Sequence, residues 1–400
     1  MEGGNFRSTL ILIATICIVL GVAALVIAYG RGYRMDITQK SVSAPGLLVA
    51  TSEPTGAQLL VNGKVTSATN ATINLKPDWY TITIVKEGYQ PWEKKLRVQG
   101  EVVTRADAFL FPTNPSLTAL TASGVASPTL SPDGTKLAFV VPNIPGTANG
   151  VVTRTGIWVL DLVDKPLSLN RDARVLAKSG TADWSRATLR WSPDSKQVLA
   201  CLGTTPCYLL DADKTTETPV LAATSALSAE WKDQEAIREK EKRAVLKEDF
   251  VTVATSAAKL ISFSPDETKL LYQATRSATI PQVIKPALFG TNTTPEPRDI
   301  IPGNLYVYDI KEDRNYILGD AKSFGSIPIQ WLPTSRHLLV VGKDKIEVLE
   351  FDASNRKTVY AGPFWDGFAV PWASGNKIII ATNLNSGATS INNLYAINLH

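Results

Sequence analysis

The amino-acid sequence predicts a mostly β protein: an N-terminal transmembrane helix, a small β-sandwich-like domain, and a β-propeller with one inserted helix. Three observations carry this reading. Residues 8–30 contain no charge. Residues 46–113 hold short alternating strands around an Asn62-Gly63 pair. Residues 114–400 repeat one turn tetrad and its flanking strands. Composition agrees with a folded chain. Of 400 residues, 44% are hydrophobic and 20% charged, which excludes wholesale disorder. A net charge of +4 with no basic stripe argues against a nucleic-acid binder. Two His and three Cys exclude a zinc finger, a haem-rich protein and a disulfide scaffold.

The first element follows residues 1–8. Its core reads TLILIATICIVLGVAALVIAY. At 1.5 Å per residue it spans roughly 30 Å, the thickness of the hydrocarbon layer. Tyr29 and Tyr33 stand where interfacial aromatics belong. A cleaved signal peptide is the alternative, with Ala28 and Gly30 as small residues at the cleavage spacing. Signal h-regions are shorter, about 7–15 residues, so the expectation is an uncleaved single-pass anchor over 9–30. Arg7 precedes the span, while Arg31, Arg34 and Lys40 follow it. Counting Lys and Arg leans toward a cytoplasmic C-terminus. Long domains translocate regardless of such small differences, and those that follow point outward.

A polar linker is expected at 31–45. Beyond it, residues 47–50, 58–61, 64–66, 79–85, 94–98 and 106–111 read as strands. Asn62-Gly63 marks a hairpin, because both central positions of that turn need positive φ. The run GLLVATSEPTGAQLLVNGK, followed by residues 77–92, resembles a PEGA domain. Pro54-Thr55-Gly56-Ala57 stands at the motif that names the family, with Thr55 in the place of its Glu. Pro54, Gly56 and Ala57 are therefore candidate turn residues. The resemblance covers about 65 residues and implies a non-catalytic spacer or binding module of a prokaryotic surface or envelope protein. An unrelated small β domain is the alternative.

The repeats fill the remainder. Ser131-Pro132-Asp133-Gly134 recurs as Ser192-Pro193-Asp194-Ser195 and Ser264-Pro265-Asp266-Glu267. Degenerate copies are Leu332-Pro333-Thr334-Ser335 and Ala373-Ser374-Gly375-Asn376. Each follows a short strand and precedes an apolar one: KLAFVV, QVLACL, KLLYQA, HLLVVG, KIIIAT. Third strands follow, and fourth strands are visible in several copies. Such units cannot bury both faces alone and must stack. The pattern is similar to TolB-type and WD-type propellers. Five units are counted and six are possible; residues 116–121 are expected to supply the last strand of the fifth. A helical stripe at Leu227, Trp231, Ile237, Ala244 and Val245 marks an inserted helix over 227–249, packed on the flank or serving as a docking arm. A second insertion, 277–303, carries five prolines and reads as a loop over one face.

Chemistry is sparse. There is no G-x-S-x-G, P-loop or G-x-G-x-x-G. Asp133, Asp194 and Asp266 recur with the repeat, so turn formation explains them better than catalysis or calcium binding. His337 reads as a strand residue. Asp211, Asp213 and Glu217 lack the spacing of a calcium loop. Cys201 and Cys207 flank a short turn; a disulfide, fitting an oxidising exterior, and two free thiols both remain open. Trp191, Trp331 and Trp372 end first strands, as core packing or as an aromatic platform for a partner. The expected protein is a non-catalytic binding or scaffolding component of the cell envelope. Lipid holds its helix, and a protein, peptide or wall glycan meets its propeller, without cofactor or metal. A surface-layer component and a glycan-acting enzyme are the alternatives.

Overall fold

The computed structural model describes residues 3–30, 34–36, 41–43, 45–143, 155–164, 173–178, 180, 182–290, 292–325, 329–365, 367–384 and 391–399. They divide into two units. The first is Met1–Leu110 with Phe289–Thr293; the second is Phe111–Leu288 with Thr294–His400.

In the first unit Gly3–Gly30 form one helix, α1. Its side chains are described at 10–24, 26 and 27, all exposed. Among the described residues no helix is long and apolar enough to cross a membrane. The expected linker is partly ordered, because Arg34–Asp36 and Ser41–Ser43 pair as a short hairpin. Two sheets then stack. One orders Ala71–Leu75, Gly46–Glu53 and Val103–Phe109, the last two parallel. The other orders Lys64–Ala68, Gln58–Val61, Asp78–Val85 and Trp92–Val98. Alternating residues fill the space between them, with Leu48, Ala50, Leu59, Ile82, Ile84 and Ala106 fully buried. Asn62 and Gly63 adopt φ of 50° and 76°, as their hairpin requires. Ala71–Leu75 is an additional strand; Ala71, Ile73 and Leu75 pack on the core only at its rim.

Among its described residues the second unit holds five four-stranded antiparallel sheets, the number of repeats counted in the sequence. Sheet one is Ala126–Leu130, Lys136–Val141, Gly156–Asp161 and Arg174–Lys178. Sheet two is Ala187–Trp191, Gln197–Leu202, Cys207–Asp211 and Val220–Leu221. Sheet three is Ala258–Phe263, Lys269–Ala274, Asn304–Asp309 and Arg314–Asp320. Sheet four is Gln330–Trp331, His337–Val341, Lys345–Glu350 and Lys357–Ala361. Sheet five joins Ala369–Pro371, Lys377–Thr382 and Asn393–Asn398 to Leu117–Ala119 from the start of the unit. That last pairing is the one expected from residues 116–121. The 277–303 insertion is ordered at its base by a small hairpin, Ala278–Thr279 with Asp299–Ile300.

Apolar faces hold neighbouring sheets together. Val140 and Val159 of sheet one meet Val198, Ala200 and Leu210 of sheet two. The opposite face of sheet one, through Leu137 and Phe139, meets Trp372 and Ile379 of sheet five. Leu271 and Val307 of sheet three meet Leu338 and Val340 of sheet four. The remaining faces of sheets two and three are covered by helices. The insertion is two helices rather than one: α2, Thr224–Ala244, and α3, Glu248–Ser256. Trp231 of α2 packs on Leu199 and Cys207 of sheet two. Leu246, Phe250 and Ala254 pack on Leu270, Tyr272 and Tyr308 of sheet three. The break falls at 245–247, where Lys247 is extended and Leu246 turns inward. The β-branched run in α3 (Val251, Thr252, Val253, Thr255) hides this helix from a propensity reading. The insertion thus lines two inner sheet faces and does not merely decorate a flank. Glu239 and Arg243, one turn apart on α2, pair at 2.6 Å.

One turn geometry recurs in all five sheets. In sheet one the Gly134 N–H donates to the Ser131 carbonyl (2.9 Å) and the Ser131 N–H to the Lys136 carbonyl (2.8 Å). The Ser131 hydroxyl donates to Asp133 Oδ1 (2.6 Å) and accepts from the Lys136 N–H (2.9 Å). Ser192 with Asp194, and Ser264 with Asp266, repeat this clasp. The fourth residue of each tetrad is left-handed: Gly134 (71°), Ser195 (63°), Glu267 (56°), Ser335 (57°) and Gly375 (75°). This constraint corrects the fifth copy by one position. The Gly375 N–H donates to the Trp372 carbonyl, so the tetrad is Trp372-Ala373-Ser374-Gly375. Turns also join one another: the Asp133 N–H donates to Ser195 Oγ (3.2 Å) and the Asp266 N–H to Ser335 Oγ (3.0 Å).

Two predictions follow from this geometry. Ser195, Glu267 and Ser335 hold the left-handed position without glycine, and Glu267 has the longest side chain of the three. Glu267→Gly should raise stability by about 0.5–1 kcal/mol in urea unfolding, after the extra chain entropy of glycine is deducted. Burial opposes ionisation of Asp133, but the bonds from Ser131, Thr135 and Ser195 outweigh it and hold its pKa below the ordinary 3.8. A depressed folded pKa contributes stability above the unfolded value, lost as pH falls through the folded one. Asp133→Ala should cost ~1 kcal/mol at pH 7. The gap from wild type should narrow below the ordinary Asp pKa, where both proteins are compared by urea melts.

Candidate functional site

The tetrad residues spend their polar groups on the turns just described. Asp194 is held below its ordinary pKa by the Ser192 hydroxyl, against a smaller burial effect. For Asp266 burial acts upward, and bonds from Ser264 and Thr268 prevail. Among the described residues no group of three or more His, Cys, Asp or Glu could hold a metal ion. Asp213 meets Lys136 at 2.7 Å, and Asp211 accepts from the Asp213 N–H at 2.8 Å. His337 is buried in its strand, with Nδ1 3.0 Å from Thr334 Oγ1 and its ring edge-on to Phe111.

The three tryptophans weighed as partner contacts do not form a surface platform. Trp191, Trp331 and Trp372 are 5%, 7% and 2% exposed, each inside a cluster between sheets. Inner-strand ends sit where neighbouring sheets converge, so large rings there are consumed by packing. The Trp191 indole N–H donates across sheets to the Thr129 carbonyl (3.0 Å). Trp372 belongs to the turn itself, one position later than Trp191 and Trp331 in their repeats.

The turn of the small domain is likewise a clasp. Gly56 has φ of 73° and donates its N–H to the Thr69 carbonyl (2.9 Å). Ala57 is fully buried and donates to Thr69 Oγ1 (3.0 Å). The Pro54 carbonyl accepts from Ser52 Oγ (2.7 Å). Lys86 Nζ donates to the Thr55 carbonyl, so a backbone group and not the Thr55 side chain is what this contact uses.

Two clefts lie along sheet two. Cys201 and Cys207 are directly opposed in the hairpin and form a disulfide, with Cα atoms 4.0 Å apart. Trp231 of α2 packs on this hairpin, and Arg190 lies 5.5 Å from its ring. Glu235 meets Arg190 at 3.4 Å, and Arg238 donates to the Pro193 carbonyl. α2 therefore crosses the sheet from outer strand to inner turn. The two clefts flank it. One, of about 590 Å³, runs between Val220, Leu221 and the first turns of α2. The other, of about 420 Å³, is polar and lined by Asp194, Lys196, Asp213 and Gln234. Asp211 and Glu230 border both. Val220, Leu221 and Glu230 carried no legible signal: a two-residue strand is too short for periodicity to register. A further cleft of about 440 Å³ lies by Leu120, Phe139 and Trp158.

The disulfide should matter to α2 more than to the rest of the unit. Replacing both Cys201 and Cys207 with Ser should cost about 2 kcal/mol, as for a short closed loop. Hydrogen exchange should quicken first around Leu227 and Trp231, before sheets three to five respond.

Comparison with known proteins places the small domain. Residues 46–114 match the PEGA domain family. A solved TolB structure from Agrobacterium tumefaciens aligns with 68% of this chain and 78% of its own, at 16% identity and a TM-score of 0.23. The five-sheet architecture rests on the strand pairing and not on that overlay. No curated protein matches the chain. The chain thus matches the PEGA domain family over residues 46–114, and its second unit builds five four-stranded sheets among the described residues.

Proposed function

We propose that this protein is a membrane-anchored, non-catalytic binding or scaffolding component of the cell envelope, with its propeller outside the membrane. The observation that carries the binding role is the use of the recurrent tetrad groups. Asp133, Asp194 and Asp266 are each engaged by their own turns, which leaves clefts beside sheet two as the surfaces for recognition. A carboxylate bound by a serine hydroxyl and held ionised is a poor general acid.

Two features support the address. Leu10, Ile11, Ile18, Leu20, Val26 and Ile27 of α1 are all more than half exposed. A continuous helix with such side chains on every face suits lipid better than water. The Cys201–Cys207 disulfide suits an oxidising compartment. The PEGA match supports an envelope setting.

The test is crosslinking of intact cells with a membrane-impermeant, amine-reactive reagent, followed by capture of this protein and mass spectrometry. Lysines such as the exposed Lys214 should link to an envelope protein or wall fragment. If they react only after the membrane is broken, the exterior address is wrong. Links solely between copies in an ordered array would favour a surface-layer component instead.

A further inference from the structure

We infer that the outer edge of sheet two is a docking site for an extended peptide segment of a partner protein. The segment would carry apolar side chains followed by Lys or Arg. The inference rests on the binding role proposed above and names the class of partner.

Val220–Leu221 is the outermost strand of sheet two. The Ala222 N–H donates to the Cys207 carbonyl (2.9 Å), and Leu221 lies opposite Tyr208. Antiparallel pairs alternate between hydrogen-bonded and non-hydrogen-bonded residues. The peptide groups of Leu221 therefore face away from the sheet, where an added strand would pair. Val220 and Leu221 are 68% and 65% exposed, an unusual state for two consecutive aliphatic residues on one edge.

The neighbouring cleft supplies side-chain recognition. Its 590 Å³ run beside Val220, Ala226 and Leu227, enough for one or two aliphatic side chains. Asp211 and Glu230 border it. Glu217, just before the edge strand, adds a third exposed carboxylate. Opposite charge on the incoming chain would steer and orient it. A second copy of this protein fits poorly as the occupant. Its own edge, residues 218–221, reads Thr-Pro-Val-Leu and offers no basic residue.

The experiment uses the full chain in non-ionic detergent micelles and fluorescence anisotropy of labelled peptides. The probes are valine–threonine repeats of about eight residues, a typical strand length, one ending in a lysine pair and its twin in a glutamate pair. The lysine peptide should bind at least roughly tenfold more tightly than its twin. Glu230→Lys should reverse that order. Leu221→Pro removes one outward N–H, which an edge strand tolerates, and should weaken both peptides while the melting temperature holds. If neither peptide binds, or if Leu221→Pro leaves affinity unchanged, the proposal is overturned. Sedimentation that shows dimers lost in Leu221→Pro would give the edge to a second copy and also overturn it. The outcomes are separable from the wider reading: an envelope partner crosslinked in cells, with no peptide binding here, defeats only this site.

Discussion

Each of the five sheets depends on a turn whose fourth residue must be left-handed. That conformation lets the chain reverse within four residues while the first residue of the turn accepts the fourth amide. Where serine and aspartate are both present, the serine hydroxyl binds the carboxylate and the amide of the following strand together. Sheet register is fixed from that point outward, since a slip of one residue would invert every apolar face. The geometry is more stringent than the sequence that encodes it. Sheets four and five keep the backbone bonds although Asp has gone from both.

The helical insertion changes what sheets two and three require of each other. Between sheets one and two, one and five, and three and four, apolar faces meet directly. Here Trp231 covers one sheet, and Phe250 stacks 4.0 Å from Tyr308 on the other. Around Tyr308 a polar network continues: its hydroxyl donates to Asp313 Oδ1 at 2.7 Å, and Arg298 meets the same carboxylate at 2.8 Å. Asp313 also accepts the Val283 and Ile284 amides, which ties the proline-rich insertion to sheet three. The irregular segments are thus organised by the polar groups they satisfy.

The sequence revealed the repeats because each combined a turn signal with a period-2 apolar strand. Residues 116–121 were legible by another route, because the fifth repeat was one strand short of a four-stranded unit. The fifth tetrad was misplaced because Gly375 and Asn376 both suit left-handed backbone, and only the bond to Trp372 separates them. α3 was hidden by its β-branched residues, and Ala71–Leu75 by its half-buried pattern. The tryptophans were visible but their burial was not: strand position alone does not say which neighbour covers a ring. The edge of sheet two escaped notice entirely, because exposure and cleft shape arise only after α2 packs.

Sheet five is assembled from the two ends of its unit. Thr121 and Asn393, bonded through their side chains at 3.2 Å, are separated by 272 residues. A ribosome delivers Leu117–Ala119 long before its partner strand Asn393–Asn398. Until then that segment has no ladder to join, and one face of sheet one lacks the cover that Trp372 and Ile379 provide. Pairing of the two ends is therefore a non-local event, slow by contact order, and the uncovered apolar face stays exposed while it waits.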